Sequence, residues 1–367
     1  MKRLGLGIVG CGAISSIYLK NCTSLFGNVE VRALADVDPE RAKSRAAEFG
    51  VPRVLSLPEL LASEEVDIVL NLTVPKAHAE VSLAALEAGK HAYCEKPLAL
   101  SLAEGERLVA LAESKGLCLG SAPDTFLGAG LQTCRRLIDE GRIGEVSGAT
   151  AFMLDGGPEG WHPNPAFYYQ KGGGPMFDMG PYYIHALVSL MGPVAGVVGR
   201  AFKAREYRVT TSAARRGERI EVEVPTTVTG ILDFASGAQG LLMTSFDCVG
   251  GTSRAPIEIY GSEGTLVVPD PNTFGGPIRM RRKGEEGFTE LPLLFGYSEN
   301  SRGLGLSDMA DAIGEGRRPR VGPALALHAL ELMEGIHVSA ETGTRYAMRH
   351  SCERPEPLRT GSGVGER

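Results

Sequence analysis

The run Arg3-Leu4-Gly5-Leu6-Gly7-Ile8-Val9-Gly10-Cys11-Gly12-Ala13-Ile14-Ser15 carries a short apolar stretch straight into a glycine turn. Residues 3–9 predict a buried strand and residues 14–24 a helix, so Gly10, Gly12, Ala13 and Ile14 fall in the turn between them. The spacing is G-x-G-x-x-G with Ser15 in the third place. The first glycine permits a tight turn, the second lets the backbone approach a pyrophosphate, and the following helix points its N-terminus at that anion. A second predicted strand, Val29–Ala35, ends in Asp36. That is about twenty residues past the glycines, where a carboxylate takes the adenine-ribose hydroxyls of NAD. Asp36 also suits a plain turn in Asp36-Val37-Asp38-Pro39, but the complete β-α-β unit favours the ribose. A carboxylate there repels a 2′-phosphate, so NAD is expected over NADP.

The alternation goes on. Residues 40–49 and 57–63 predict helices, and 66–73 a buried strand ending at Thr73-Val74-Pro75. A helix over 78–88 follows, then a strand over 91–93 that delivers Glu95-Lys96-Pro97, a helix over 102–115 and a last strand over 117–121. Strands separated by helices mean a doubly wound parallel sheet, an α/β Rossmann domain over residues 1–122. In such sheets ligands gather outside the carboxyl ends of the strands. Thr73, Pro75, His78, Glu95 and Lys96 therefore join the glycine turn as expected cofactor contacts. Pro97 disfavours a helical Lys96, which leaves the lysine extended at a strand's end, able to hold a substrate hydroxyl or share its proton. Its bland alternative is a solvated loop lysine.

Past Ser121 the pattern changes. A helix is expected over 125–141, then β-like runs at 144–153, 226–234, 237–246, 257–260 and 265–268. These predict an α+β domain over 123–350 with a large, mostly antiparallel sheet, one face of which is left for a partner chain. Residues 305–340 read as two helices parted by 314–322, and the polar, Gly/Pro/Arg-containing stretch 351–367 as a loose tail.

Composition bounds the function. The 367 residues are 43% hydrophobic and 22% charged, ordinary for a globular protein, and long enough for two cores. A net charge of −6 argues against a nucleic-acid surface, and no apolar run reaches the ~20 residues that span a bilayer. Met1-Lys2-Arg3 before apolar residues resembles a signal peptide, yet cleavage there would remove the first strand. Seven scattered cysteines without a C-x-x-C pair fit a reducing, cytoplasmic setting, with no disulfide framework and no metal site.

Gly172-Gly173-Gly174-Pro175-Met176-Phe177-Asp178-Met179-Gly180-Pro181-Tyr182-Tyr183-Ile184-His185 is the second loaded stretch. Pro181 is tolerated in a first helical turn, so a helix is expected to start near Asp178. Asp178, Tyr182 and His185 then share one face, as a proton-handling site or as a cap with packed residues.

With Gly10-x-Gly12, Ala35-Asp36, Glu95-Lys96-Pro97, Gly172-Gly173-Gly174…Asp178-x-Gly180 and Tyr260-Gly261-Ser262-Glu263-Gly264-Thr265, the chain resembles the glucose-fructose oxidoreductase / inositol dehydrogenase / MocA family over nearly its whole length. The resemblance implies an NAD(P)-dependent sugar or polyol oxidoreductase, a homodimer or homotetramer built through the C-terminal sheet. It implies that Lys96 binds and polarises the reacting hydroxyl, that Asp178 orients lysine and substrate, and that the residue four positions on is the acid/base. Most members carry histidine there. Tyr182 matches instead the branch with glucose-fructose oxidoreductase and dihydrodiol dehydrogenase, and His185 stands as a rival base. Asp124, Trp161 and His162 would line the sugar pocket by the same resemblance, Trp161 having a core anchor as its alternative. Two other readings stay open: a glycosidase that uses NAD for transient oxidation, and a non-catalytic sensor.

Overall fold

The computed structural model describes residues 3–359. These fall into two compact units. The first comprises everything described up to Ala129, Phe295–Leu330 and the described residues from Pro355 on; the second comprises Gly130–Leu294 and Glu331–Arg354.

The first unit opens with β1 (Leu4–Val9), α1 (Ser15–Ser24), β2 (Val29–Ala35), α2 (Pro39–Phe49), α3 (Leu57–Ala62) and β3 (Ile68–Asn71). It continues with α4 (His78–Glu87), β4 (His91–Cys94), α5 (Leu102–Lys115) and β5 (Leu119–Ser121). Every strand pairing is parallel, in the order β2-β1-β3-β4-β5, so the sheet reverses direction between β1 and β3. Residues 5–9 of β1 and all four of β3 are buried, as strands covered on both faces must be. Local chemistry sets the helix ends. Asp38 caps α2 through the Glu40 and Arg41 amides and Gly50 closes it at φ 67°, while Ser56 and Glu59 form a capping box on α3.

The second unit is built around a nine-stranded sheet. Its strands and helices, in chain order, are α6 (Ala129–Asp139), β6 (Val146–Leu154), α7 (Gly174–Met191), β7 (Val194–Phe202), β8 (Tyr207–Val209), β9 (Arg219–Glu221), β10 (Thr227–Phe234) and β11 (Gln239–Ser245). There follow β12 (Ile257–Gly261), β13 (Gly264–Val268), β14 (Ile278–Arg282) and β15 (Thr289–Leu291). After α8 (Leu304–Glu315), which belongs to the first unit, come α9 (Pro323–Thr342), whose residues up to Leu330 also belong to the first unit, and β16 (Tyr346–Ala347). The order is β15-β14-β13-β12-β6-β11-β10-β7-β16, antiparallel except where β11 runs parallel to β6. Helix α7 packs on β6, β10 and β11, and β8 with β9 make a separate small hairpin.

Several expectations need correction. The helix expected over 125–141 is a 3-10 turn at Thr125–Leu127 and then α6, broken at Gly128, whose ψ of 161° is extended. Helix α7 starts at Gly174, not near Asp178, with Pro175 in its first turn and Pro181 accommodated in its interior. Residues 295–330 pack with the first unit rather than the second. The segment buries Leu304, Leu306 and Met309, and polar contacts fix it: Asn21 Nδ2 donates to the carbonyls of Asn300 (3.0 Å) and Arg302 (2.8 Å), and Asn28 Nδ2 to that of Ser307 (2.8 Å). The stretch from 351 is not loose as far as it is described. Arg354 Nη1 meets Asp139 at 2.7 Å, its Nε donates to the Ser189 carbonyl at 2.8 Å, and Leu358 is buried. Residues 360–367 lie outside the described part. No described helix is long and apolar enough to cross a membrane.

Candidate active site

The carboxyl edge of the parallel sheet collects most of the residues singled out by sequence. Gly10 sits at φ 100°, and a Cβ there would lie 2.6 Å from the Leu72 carbonyl, so the turn requires glycine. A Cβ on Gly12 would meet nothing within 4 Å, which leaves open space over the exposed loop tip of Ala13 and Ile14. Asp36 ties this loop to the next: its Oδ2 accepts from the Cys11 amide at 2.7 Å and its Oδ1 from the Asp38 amide at 2.8 Å. Each oxygen keeps a second lone pair for a ribose hydroxyl. Arg41 Nη1 lies 3.7 Å from Oδ1. The Cys11 thiol, buried beside Asp36, is pushed up to about 11 by burial first and the carboxylate second, so it stays protonated. A glycine-required turn with open space above it and a preorganised carboxylate beside it fits an NAD pyrophosphate and ribose.

At the ends of β3 and β4 two loops are held together by His78. Its ring is buried, with Nδ1 at 2.7 Å from the Pro97 carbonyl and Nε2 at 3.0 Å from the Thr73 carbonyl. Two carbonyl partners would suit an imidazolium, yet burial lowers the pKa of the ring, and the backbone contacts oppose that only in part. A neutral ring donates once, and the shorter contact assigns the proton to Nδ1. Both ring nitrogens of His78 thus face backbone carbonyls, and the ring ties the Thr73 and Pro97 loops together. Asn71 Oδ1 accepts from the Thr73 hydroxyl at 2.6 Å, fixing the same loop.

Glu95 is pinned by two donors. Tyr18 gives its hydroxyl to Oε1 at 2.7 Å, and the Lys96 amide donates to Oε2 at 3.0 Å. Lys96 stands half-buried before the cis Lys96-Pro97 peptide. Tyr18 and Asn71 were not picked out from sequence; a lone aromatic residue in α1 was the available signal for the first. Asp124, expected in the sugar pocket, is instead 1% exposed, and its Oδ2 accepts from the amides of Gly303 (2.8 Å) and Gly305 (2.9 Å) at the start of α8. Burial raises its pKa to about 6, against the opposing pull of those amides and Arg302.

In the second unit α7 carries the other set. Asp178 and Tyr182 are one turn apart and His185 lies three residues beyond, so the expected common face survives the earlier helix start. Asp178 is half-buried, Tyr182 is 7% exposed and His185 2%. Gly173 must be glycine, because a Cβ would meet the Phe167 and Tyr168 carbonyls at 2.6 Å, and this brings the 165–169 turn onto the helix start. Asp155, just past β6, feels both Asp178 and Glu159; burial first, then these charges, raise its pKa. Trp161 is 67% exposed, which removes the core-anchor alternative. It leads a ladder of rings with His162 at 5.4 Å and Tyr168 at 6.4 Å. Among the described residues no cluster of three His, Cys, Asp or Glu is arranged for a metal ion.

Two family models match successive parts of the chain. One, described as the oxidoreductase family with NAD-binding Rossmann fold, matches residues 4–122, and the GFO/IDH/MocA C-terminal domain matches residues 131–267. The dTDP-3,4-didehydro-2,6-dideoxy-alpha-D-glucose 3-reductase of Saccharopolyspora spinosa is 30% identical over 297 residues, 79% of this chain and 83% of that protein.

The chain belongs to the Gfo/Idh/MocA oxidoreductase family.

Two further likenesses agree with this. The 1,5-anhydro-D-fructose reductase of Ensifer adhaerens is 28% identical over 291 residues, 78% of this chain and 82% of that one. Levoglucosan dehydrogenase, solved in complex with NADH, shares the fold with a TM-score of 0.79 at 21% identity, covering 95% of this chain and 100% of that one. This member of the Gfo/Idh/MocA family is thus an NAD-binding oxidoreductase with a parallel Rossmann sheet and a large, mostly antiparallel second sheet. The first unit brings Gly10, Gly12, Asp36, Thr73, Glu95 and Lys96 to one sheet edge and takes Asp124 and His78 into supporting roles.

Proposed function

We propose that this enzyme passes hydride between NAD and a hydroxyl-bearing carbon of a sugar, glycoside or cyclic polyol. The observation that carries the reading is Lys96, half-buried at the end of β4 on a backbone fixed by Glu95, on the same sheet edge as a glycine turn suited to a dinucleotide. Bound NAD would supply the hydride acceptor. In the oxidation direction the carbinol carbon gives up hydride and its oxygen a proton. In this proposal Lys96 has the task of holding that oxygen, Tyr182 of taking the proton and Asp178 of orienting the substrate. A tyrosine titrates near ~10 unperturbed, so this role needs a neighbouring cation to make a tyrosine base useful at neutral pH. The names of the two similar reductases support a carbohydrate substrate.

NADH absorbance followed together with product analysis on free sugars and aryl glycosides tests the class. Stoichiometric NADH with an intact glycosidic bond supports it. Aglycone release at constant NADH would make the enzyme a redox-assisted glycosidase, and binding of NAD without turnover of any sugar would make it a sensor.

We also propose a homo-oligomer through the nine-stranded sheet. Val198 and Ile231 are register partners on β7 and β10, 43% and 49% exposed, with Phe202 beyond them at 57%. An open apolar sheet face of this kind suits a second copy. Light scattering behind size exclusion checks it: a monomer that stays monomeric at micromolar concentration refutes it. Seven unpaired thiols are compatible with a reducing, cytoplasmic setting.

A further inference from the structure

A cleft of about 780 Å³ opens within the second unit, between the loop after β6 and the β8–β9 hairpin. Its floor is glycine-rich, with Gly156, Gly157 and Gly160 on one side and Gly250 on the other, so backbone amides and carbonyls lie within reach of a ligand. Its charges balance: Arg205 and Arg208 face it with Glu159 and Glu206. Such a lining selects for neither an anion nor a cation.

The walls are rigid. Arg208 is 3% exposed; its Nη1 donates to Glu159 at 2.8 Å, and its Nη2 donates to the Phe246 carbonyl at 2.7 Å and to Asp247. The Tyr169 hydroxyl closes on the other oxygen of Glu159, and Thr211 and Ser212 both give their amides to the Glu159 carbonyl at 3.0 Å. The hairpin and the loop are therefore stitched together before anything binds. Three buried polar atoms in these segments, Arg208 Nε, Thr210 Oγ1 and Ser212 Oγ, have no protein partner, and of the three residues Arg208 lines the cleft. At the mouth, Tyr207 is 45% exposed and is braced by the Arg219 guanidinium 3.4 Å from its ring centroid, which leaves an aromatic platform of fixed orientation. Neutral charge, close backbone, fixed carboxylate–guanidinium pairs and an aromatic face are the features that recognise a pyranose ring.

The cleft is chemically continuous with the α7 site inside the same unit. Asp155 Oδ1 accepts from the Gly157 amide at 2.7 Å, so one short loop carries the carboxylate that senses Asp178 and the glycines that floor the cleft.

We infer that this cleft is a second saccharide subsite, and that the substrate is a disaccharide or larger glycoside whose non-reacting ring it holds. The inference rests on the proposed sugar oxidoreductase reading. Its volume is within the ordinary range of ligand pockets, ~300–1,000 Å³.

The test is calorimetric titration of the full chain, loaded with NAD, using glucose and galactose against cellobiose, maltose, lactose and trehalose. At least one disaccharide binds tenfold or more tighter than its component monosaccharide. Val249→Trp, which fills the mouth from a residue 78% exposed, and Tyr207→Ala, which removes the platform, each abolish that advantage while monosaccharide binding is unchanged. Equal affinity for mono- and disaccharides, no disaccharide binding, or an advantage that survives both substitutions overturns the inference. NADH formation measured on the same samples separates the two ideas. Tight, cleft-dependent disaccharide binding without NADH from any sugar would sink the oxidoreductase reading and leave the subsite standing; NADH from monosaccharides alone would do the reverse.

Discussion

Asp124→Asn separates what a buried carboxylate does for this fold from what its charge costs. The wild-type group is 1% exposed and accepts two amides at the start of α8, and burial raises its pKa to about 6. An unfolded aspartate titrates near ~3.9, so the shift is about two units, or about 3 kcal/mol. The native state holds the extra proton between those two values. The associated stability is fully present below about pH 4, declines as pH rises through about 6 and is gone above about pH 7. Asparagine keeps an oxygen for the Gly303 and Gly305 amides and has no charge to bury. The wild-type stability relative to Asp124→Asn should therefore fall by about 3 kcal/mol between about pH 4 and pH 7 and then flatten. Glu95 and Arg302, the other charged groups acting on Asp124, are already contained in that shift, and their own titration is common to both proteins. Urea denaturation of both proteins across that range, without NAD, measures it. A flat difference would show an unshifted carboxylate and one that grows with pH a carboxylate stabilised in its charged form, and either refutes the reasoning.

Asp36→Ala should shift cofactor preference toward NADP by about tenfold or more in kcat/KM ratio, because the carboxylate that repels a 2′-phosphate is gone while Arg41 and the loop remain; an unchanged ratio sinks this. Lys96→Ala and Tyr182→Phe should each lower kcat by about a hundredfold, as loss of an acid/base partner does, with NAD affinity little altered. If His185→Ala is the crippling change and Tyr182→Phe is mild, the roles are reversed. His78→Ala leaves the buried Pro97 carbonyl without its donor, worth roughly 1–3 kcal/mol, and should lower the melting temperature and raise the KM for NAD together. A lowered melting temperature with unchanged KM would confine His78 to stability.

The legible parts of this protein are those written in local chemistry. Gly10 and Gly12 between a strand and a helix, Asp36 at the next strand's end and the regular alternation up to Ser121 define the Rossmann half, because turns, caps and periodicity act over a few residues. Strand Val29–Ala35 and helix Leu102–Lys115 have the bounds the sequence indicates. The pair Asp178 and Tyr182 was legible too, since four residues on a helix is one turn wherever the helix begins. Strand Val194–Phe202 was not. Gly196 and Gly199 weaken its β pattern, and their reason lies elsewhere in the chain: the Gly199 amide donates to Ser339 Oγ at 2.8 Å, and a Cβ there would run into the Ile336 carbonyl of α9. Asp124 and His78 show the same limit. Their residue types suit ligand contact, but a carboxylate 179 positions from Gly303 and an imidazole between two loop carbonyls acquire their tasks only when the chain closes on itself. Sequence by itself determined the dinucleotide half, its cofactor turn and the helical spacing of the candidate acid/base. Tertiary structure alone decided which polar residues were buried as struts, because burial and long-range hydrogen bonding depend on partners that no local pattern encodes.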